Sequence, residues 1–164
     1  MSRRLAVLLP LLAGLCCSAC SGQDQLGSTQ QKLSSWVTSS GFGPGVGQLQ
    51  VDAAHVSTAV AERANRQVIQ TVCAILLTDA ESANSNLPSP DGQLTALAAA
   101  GYNALGAGAN HCYASGGTNV TLLAQSATER AQGLIDLAKA TDRAEQVLGQ
   151  PVSTTTTTEA PSAG

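Results

Sequence analysis

The sequence predicts an all-α fold, a small bundle of three or four helices tied by one disulfide, with a disordered N-terminal tether and C-terminal tail. Apolar residues recur at three- and four-residue steps through most of residues 52–149, which is the spacing of amphipathic helices. Only 2% of the 164 residues are aromatic. The core is therefore expected to be aliphatic, with small residues that let helix axes approach closely. Two cysteines in this region supply the disulfide.

The first helical region is predicted to run from Asp52, as its N-cap, to about Asn84. Its apolar positions are Val56, Val60, Val68, Val72, Ile75, Leu76 and Ala83. The polar run from Glu62 to Gln67 around Asn65 favours a kink or a short loop. The region is therefore one long helix or two.

A second helix is predicted to begin with Ser89 as N-cap and Pro90 in the first position, because proline is well tolerated there. Gly106 and Gly108 are expected to end it. Its apolar face is formed by Leu94, Leu97, Ala98, Gly101 and Leu105.

A loop containing Cys112 and a Gly116–Gly117 turn is expected next, followed by a final helix from about Asn119 to Leu148. The residues predicted to be buried on that helix are Val120, Leu123, Ala127, Leu134, Leu137, Thr141, Ala144 and Leu148. Its charged residues are interpreted as a solvated face, with an acidic binding stripe as the alternative: Glu129, Arg130, Asp136, Lys139, Asp142, Arg143 and Glu145.

The two segments that flank residues 52–149 are predicted to be flexible. Residues 20–51 are rich in Ser, Gln and Gly, and the glycines of 41–47 are expected to prevent regular structure. Within this tether, Trp36 and Phe42 are expected to tuck against the domain or to have no role, with a docking role as the alternative. Residues 150–164 form a Thr/Pro-rich tail that cannot build a core and is predicted to be disordered, with O-glycosylation as a hypothesis.

Residues 1–19 are predicted to be an export signal. Arg3 and Arg4 precede an apolar run, Leu5 to Leu15, that is too short to span a bilayer, and small residues follow it. The run Cys17-Ser18-Ala19-Cys20 resembles the lipobox of bacterial lipoproteins, although Cys17 stands where leucine is usual. The resemblance implies lipidation of Cys20 and anchoring to the cell membrane; ordinary cleavage after Ala19, giving a secreted protein, is the alternative.

The whole layout resembles the small envelope lipoproteins and secreted helical proteins of actinobacteria. The features that carry this resemblance are the signal, the lipobox-like Cys20, the tether, the alanine-rich helical domain and the Thr/Pro tail. It implies an extracytoplasmic location and a helical fold, and it transfers no active-site residue.

The cysteine count agrees with this interpretation. Of five cysteines, Cys16 and Cys17 leave with the signal, Cys20 takes the lipid, and Cys73 and Cys112 remain for each other. Export would place that pair in an oxidising compartment, which favours a disulfide. A free reactive thiol is the alternative.

Composition makes several functions improbable. The chain has 8 Lys and Arg against 11 Asp and Glu, so no basic surface is expected for a nucleic acid. His55 and His111 are the only imidazole bases, and neither stands in a catalytic or metal-ligand motif. The carboxylates of Glu62, Asp79 and Glu81 are interpreted as helix surface. No catalytic, cofactor or metal site is therefore expected.

The sequence favours a non-enzymatic envelope protein that is anchored through Cys20 and contacts another envelope component. The alternative is a carrier or receptor for a small apolar ligand or lipid. In that case a cavity is expected between helices around Ala98 to Gly101, where side chains are small.

Overall fold

The computed structural model describes residues 27–155. Within this range the chain is all-α, with five helices and no strand. The helices are α1 (Thr29–Ser40), α2 (Phe42–Ala61), α3 (Arg66–Ser85), α4 (Gly92–Ser115) and α5 (Val120–Leu148). The all-α prediction is confirmed, while the number of helices exceeds the predicted three or four. The export signal, Cys20 and most of the threonine run lie outside the described residues.

The predicted tether, 20–51, is wrong from residue 29 onward, because this part of the chain forms α1 and the first half of α2. Four apolar side chains from it are buried in the core: Leu33, Phe42, Val46 and Leu49. The glycines do not break α2. A Cβ at Gly43 would overlap the backbone carbonyl of Ser153, so a close approach requires glycine there. Pro44 lies in the first turn, where the missing N–H has no intrahelical partner to lose.

The predicted break between Glu62 and Gln67 is confirmed. Helix α2 ends at Ala61, and Asn65 begins α3 by accepting a hydrogen bond from the backbone N–H of Val68 at 3.0 Å. Asp52 is not an N-cap. It lies in the middle of α2 and is buried, with 3% of its surface exposed.

Helix α4 differs from its prediction at both ends. Its N-cap is Asp91, which accepts from the backbone N–H of Leu94 at 2.7 Å, whereas Ser89 lies two residues earlier and accepts from the N–H of Asp91. The helix continues through Gly106 and Gly108 and ends at Gly116, whose φ of 53° is left-handed. Cys112 is therefore helical and not in a loop. The predicted Gly116–Gly117 turn is confirmed by positive φ at both residues.

Helix α5 has the predicted ends, with Asn119 as N-cap and Gly149 as C-cap. Its buried face differs from the prediction, however. Val120 is 77% exposed and Ala127 is exposed, while Arg130 is buried. The residues that are buried on α5 are Ser126, Arg130, Gly133, Leu137, Ala140, Ala144 and Leu148.

Glycines explain why α5 buries this narrow face. A Cβ on Gly101 of α4 would lie 2.7 Å from Cγ of Leu137, and a Cβ on Gly133 would lie 2.9 Å from the carbonyl oxygen of Gly101. The two backbones therefore approach too closely for side chains at these positions. The same packing fills the region around Ala98 and Gly101, both buried, where a ligand cavity was expected.

Helix α2 packs against α3, α3 against α4, and α4 against α5. Arg130 of α5 connects back to α2 by donating to the carbonyl of Ala53 at 2.9 Å and to the hydroxyl of Ser57 at 2.8 Å. Helix α1 packs against α5 and α2. The disulfide between Cys73 and Cys112 joins α3 to α4.

The start of the predicted disordered tail is ordered as far as residue 155. Val152 is buried, and its N–H donates to Oε1 of Glu145 on α5 at 3.0 Å. Among the five helices described here, none is both long and apolar enough to cross a membrane.

Candidate functional site

A cavity of about 230 Å³ lies where the end of α1 and the start of α2 meet the C-terminal half of α3. One residue of α4, Tyr102, also lines it. The lining is formed by Trp36, Ser40, Gly41, Phe42, Gly45, Gln48, Asp79, Ser82, Ala83, Asn86 and Tyr102. The cavity thus exists only because residues 29–51 are helical and pack onto α3.

Aromatic rings form one part of the lining. The ring centroids of Trp36 and Phe42 are 5.4 Å apart, with planes inclined at 41°. The indole N–H of Trp36 donates to the carbonyl oxygen of Asn86 at 3.1 Å, and the side-chain amide of Asn86 donates to the carbonyl of Ser40 at 3.4 Å. These two hydrogen bonds connect the end of α1 to the end of α3 and set the orientation of the indole ring.

Polar groups form the other part. The side-chain amide of Gln48, on the lining, donates at 2.9 Å to Oδ1 of Asp52, which does not itself line the cavity. The second carboxyl oxygen of Asp52, Oδ2, is buried and has no hydrogen-bond partner among the described residues. The hydroxyl of Ser40 on the lining is likewise buried and unpartnered within residues 27–155. Since buried polar groups are nearly always satisfied, both atoms indicate an incomplete polar site.

Asp52 and Asp79 are neighbouring carboxyl groups from adjacent helices. Burial, above all, and the adjacent carboxyl of Asp79 raise the pKa of Asp52 to about 6, against a smaller lowering by Gln48 and His55. Burial also raises the pKa of Tyr102 to about 12. In the part of the chain that the structure describes, neither aspartate belongs to a salt bridge. The pair therefore carries negative charge without a cationic side chain to compensate it.

The residues predicted from the sequence are placed elsewhere. Cys73 and Cys112 are paired, with Cα atoms 5.9 Å apart. His111 does not face the adjacent Cys112; its Nδ1 lies 2.7 Å from Oε2 of Glu129 on α5. His55 is exposed on α2.

The predicted carboxylate face is divided in the structure. Glu62 and Glu81 are exposed, whereas Asp79 is half-buried beside Asp52. In residues 27–155, no group of three or more His, Cys, Asp and Glu side chains is arranged to hold a metal ion.

Sequence reasoning missed the pairing of Asp52 with Asp79 and the contribution of the aromatic residues. A usable signal was present, because Asp52 lies between Leu49 and Val56 at helical spacing, on the apolar face of α2. An aspartate on such a face is rarely buried without a reason. Its partner on α3 becomes visible only when the two helices are placed side by side.

No protein-family model, curated protein or solved structure matches this chain. What the cavity can bind therefore has to follow from the residues that form it.

Proposed function

We propose that this chain is a non-enzymatic carrier or receptor of the cell envelope, anchored through Cys20, that binds a small amphipathic molecule in the cavity beside α1. The observation that carries the proposal is the combination of aromatic rings with the Asp79 carboxyl and the buried, unpartnered Ser40 hydroxyl on the lining of one cavity. A concave site that combines apolar and aromatic side chains with a few convergent polar groups is typical of small-molecule sites.

The cavity volume limits the size of the ligand. A protein cavity of roughly 150 Å³ admits benzene, and pockets for drug-sized molecules begin at roughly 300 Å³. The observed volume of about 230 Å³ lies between these values. A compact molecule with one ring or a short branched chain fits within this space, whereas long acyl chains of a lipid would extend beyond it.

Two glycines provide a matched test. Gly45 lines the cavity, and a Cβ there would meet no atom within 4 Å, so the ring of Gly45→Phe can enter the space without displacing the backbone. Gly92 is equally unobstructed, lies at the start of α4 and does not line the cavity. Gly92→Phe is therefore the control.

The experiment is native mass spectrometry of the full chain isolated from the membranes of its own host. We expect a bound small molecule in the wild type and in Gly92→Phe, and its loss in Gly45→Phe. A wild-type chain that carries no ligand, or a ligand that persists in Gly45→Phe, would contradict the proposal.

A second candidate is the interaction module favoured by the sequence, in which one surface contacts another envelope component. An open groove along α3 supports it, because Ile75 is 47% exposed there and Tyr113 of α4 is 48% exposed beside it. Crosslinking in live cells tests this candidate. Loss of a specific crosslinked product in an Ile75→Asp, Tyr113→Asp double variant would support it, and an unchanged product would contradict it.

A further inference from the structure

We infer that the ligand of this cavity is an organic ammonium ion, held by the carboxyl group of Asp79 on the lining, beside the buried carboxyl group of Asp52, and by the faces of the surrounding aromatic rings. The inference rests on the proposed function and specifies the chemical class of its ligand. It is derived from three features of the cavity: uncompensated negative charge, hydrogen-bond acceptors without donors, and aromatic walls.

The first feature is the uncompensated negative charge. An ionised carboxyl group removed from water must be paired or hydrogen-bonded, and otherwise it destabilises the fold. Asp91, the other buried aspartate, is paired with Arg143 at 2.7 Å. Asp52 has the neutral amide of Gln48, and its neighbour Asp79 offers a hydrogen bond only while one of the two carboxyl groups is protonated and a like charge once both are ionised. A cationic ligand in the cavity would supply the compensation that the described chain does not.

The second feature is the set of oxygen atoms on the lining that can accept a hydrogen bond. On the lining, the carboxyl group of Asp79 is an acceptor, and the unpartnered Ser40 hydroxyl can accept as well as donate. An alkylammonium group has up to three N–H donors and no acceptor, so it complements acceptors alone. An anionic ligand would instead meet Asp79 on the lining and be repelled.

The third feature is the aromatic part of the cavity lining. Trp36, Phe42 and Tyr102 all line the cavity. The negative face of an aromatic ring attracts a cation, most strongly for tryptophan, and aromatic enclosures of this kind recognise organic ammonium ions. A wholly apolar ligand would contact the rings equally well but would leave the carboxyl groups unpaired, which disfavours it.

The titration of Asp52 gives the inference a pH dependence. The groups that act on this carboxyl are Asp79 on α3 and Gln48 and His55 on α2. Above pH 6 the carboxyl is ionised and attracts a cation; below that value it is protonated, and cation binding must first expel the proton. Affinity for an ammonium ion is therefore expected to fall as the pH is lowered from 7.5 to 5.

Benzylammonium and benzyl alcohol are a suitable pair of probes, because they share one ring and nearly one shape but differ in charge. We expect isothermal titration calorimetry of the folded, oxidised protein at pH 7.5 to show at least about tenfold tighter binding of benzylammonium. At pH 5 this preference is expected to shrink. Equal or tighter binding of benzyl alcohol would overturn the inference and leave the proposed carrier function intact.

Asp79→Asn tests the residue assignment, with Asp142→Asn on the exposed side of α5 as the control. Asp79→Asn is expected to weaken benzylammonium binding about tenfold or more and to leave benzyl alcohol unaffected; the control should change neither. Asp52→Asn, which keeps the volume of the side chain, provides an independent second variant should Asp79→Asn fail to fold. Unchanged benzylammonium affinity in the folded variants would overturn the inference.

The two proposals fail in different ways. If neither probe binds and native mass spectrometry still detects a ligand that Gly45→Phe removes, the ammonium class is wrong and the carrier function stands. If no ligand is detected and neither probe binds, both proposals are wrong.

Discussion

The side-chain amide of Gln48 donates to one carboxyl oxygen of Asp52 at 2.9 Å and leaves the other oxygen buried without a partner. Burial and the neighbouring Asp79 oppose a negative charge here and outweigh the hydrogen bond from Gln48, so the protonated carboxyl is stabilised relative to the ionised form. Asp52, in the middle of α2, therefore gains a proton near pH 6 instead of near pH 4.

The first prediction concerns the stability of the protein as a function of pH. Between the ordinary pKa of 3.8 and the raised value of about 6, the folded state binds more protons at Asp52 than the unfolded state does. The free energy of unfolding contributed by this group therefore falls as pH rises through that window and stays lower above it. Asp52→Asn should remove this slope and be more stable than wild type at pH 7.5 by about 1–2 kcal/mol.

Urea unfolding of wild type and Asp52→Asn at pH 4, 5, 6 and 7.5 measures the difference. Asp142→Asn, an exposed aspartate on α5, is the control and should follow the wild-type curve. If the difference between Asp52→Asn and wild type were constant across this range, Asp52 would not titrate as described.

The second prediction concerns the contact between α4 and α5. Gly133→Ala should lower the free energy of unfolding by about 1–3 kcal/mol, because its Cβ would meet Cγ of Leu105 at 2.8 Å and the carbonyl of Gly101 at 2.9 Å. Gly45→Ala on α2 is the matched control, since its Cβ would meet nothing within 4 Å. That change should stabilise the protein by about 0.5–1 kcal/mol through helix propensity. Equal effects of the two substitutions in thermal unfolding would mean that the close helix contact is wrong.

The third prediction concerns the disulfide. Cys73 and Cys112 are 39 residues apart in sequence, so breaking the bond enlarges the conformational freedom of the unfolded chain. Both cysteines are fully buried, so replacing each by alanine adds a loss of packing, limited to one sulfur atom per site, to the loss of the cross-link. The double variant is expected to lose about 4 kcal/mol in urea unfolding. Dithiothreitol should produce a comparable loss in wild type and none in the double variant; an unaffected wild type would indicate free thiols.

Apolar periodicity and turn residues were enough to predict the all-α class and both ends of α5 and to favour the break before α3, while the cysteine pair followed from the cysteine count. They failed at several glycines, because a glycine can either end a helix or allow close packing within one. Gly43, Gly106 and Gly108 were interpreted as helix breakers, but Gly43 and Gly108 allow close packing inside helices, a distinction that depends on which backbone lies opposite. The candidate site could not be predicted for a related reason. Trp36 lies in the segment interpreted as a tether, and no local pattern places it beside Asn86.

The last prediction separates two roles of Asp91. Its carboxyl group caps α4 by accepting from the N–H of Leu94 at 2.7 Å, and the same group is paired with Arg143 of α5. Asparagine caps helices as well as aspartate does, so Asp91→Asn should lose only the ion pair, whereas Asp91→Ala should lose about 1 kcal/mol more.

The side-chain hydrogen bond from Arg143 holds the pKa of Asp91 below its ordinary value. The contribution of the ion pair is therefore present above pH 4 and lost as pH falls further, and wild type and Asp91→Asn should converge in acid. Asp142→Asn, at an exposed position of α5 outside the described salt bridges, is the control and should leave the urea midpoint unchanged. Equal losses in Asp91→Asn and Asp91→Ala would show that the cap contributes nothing.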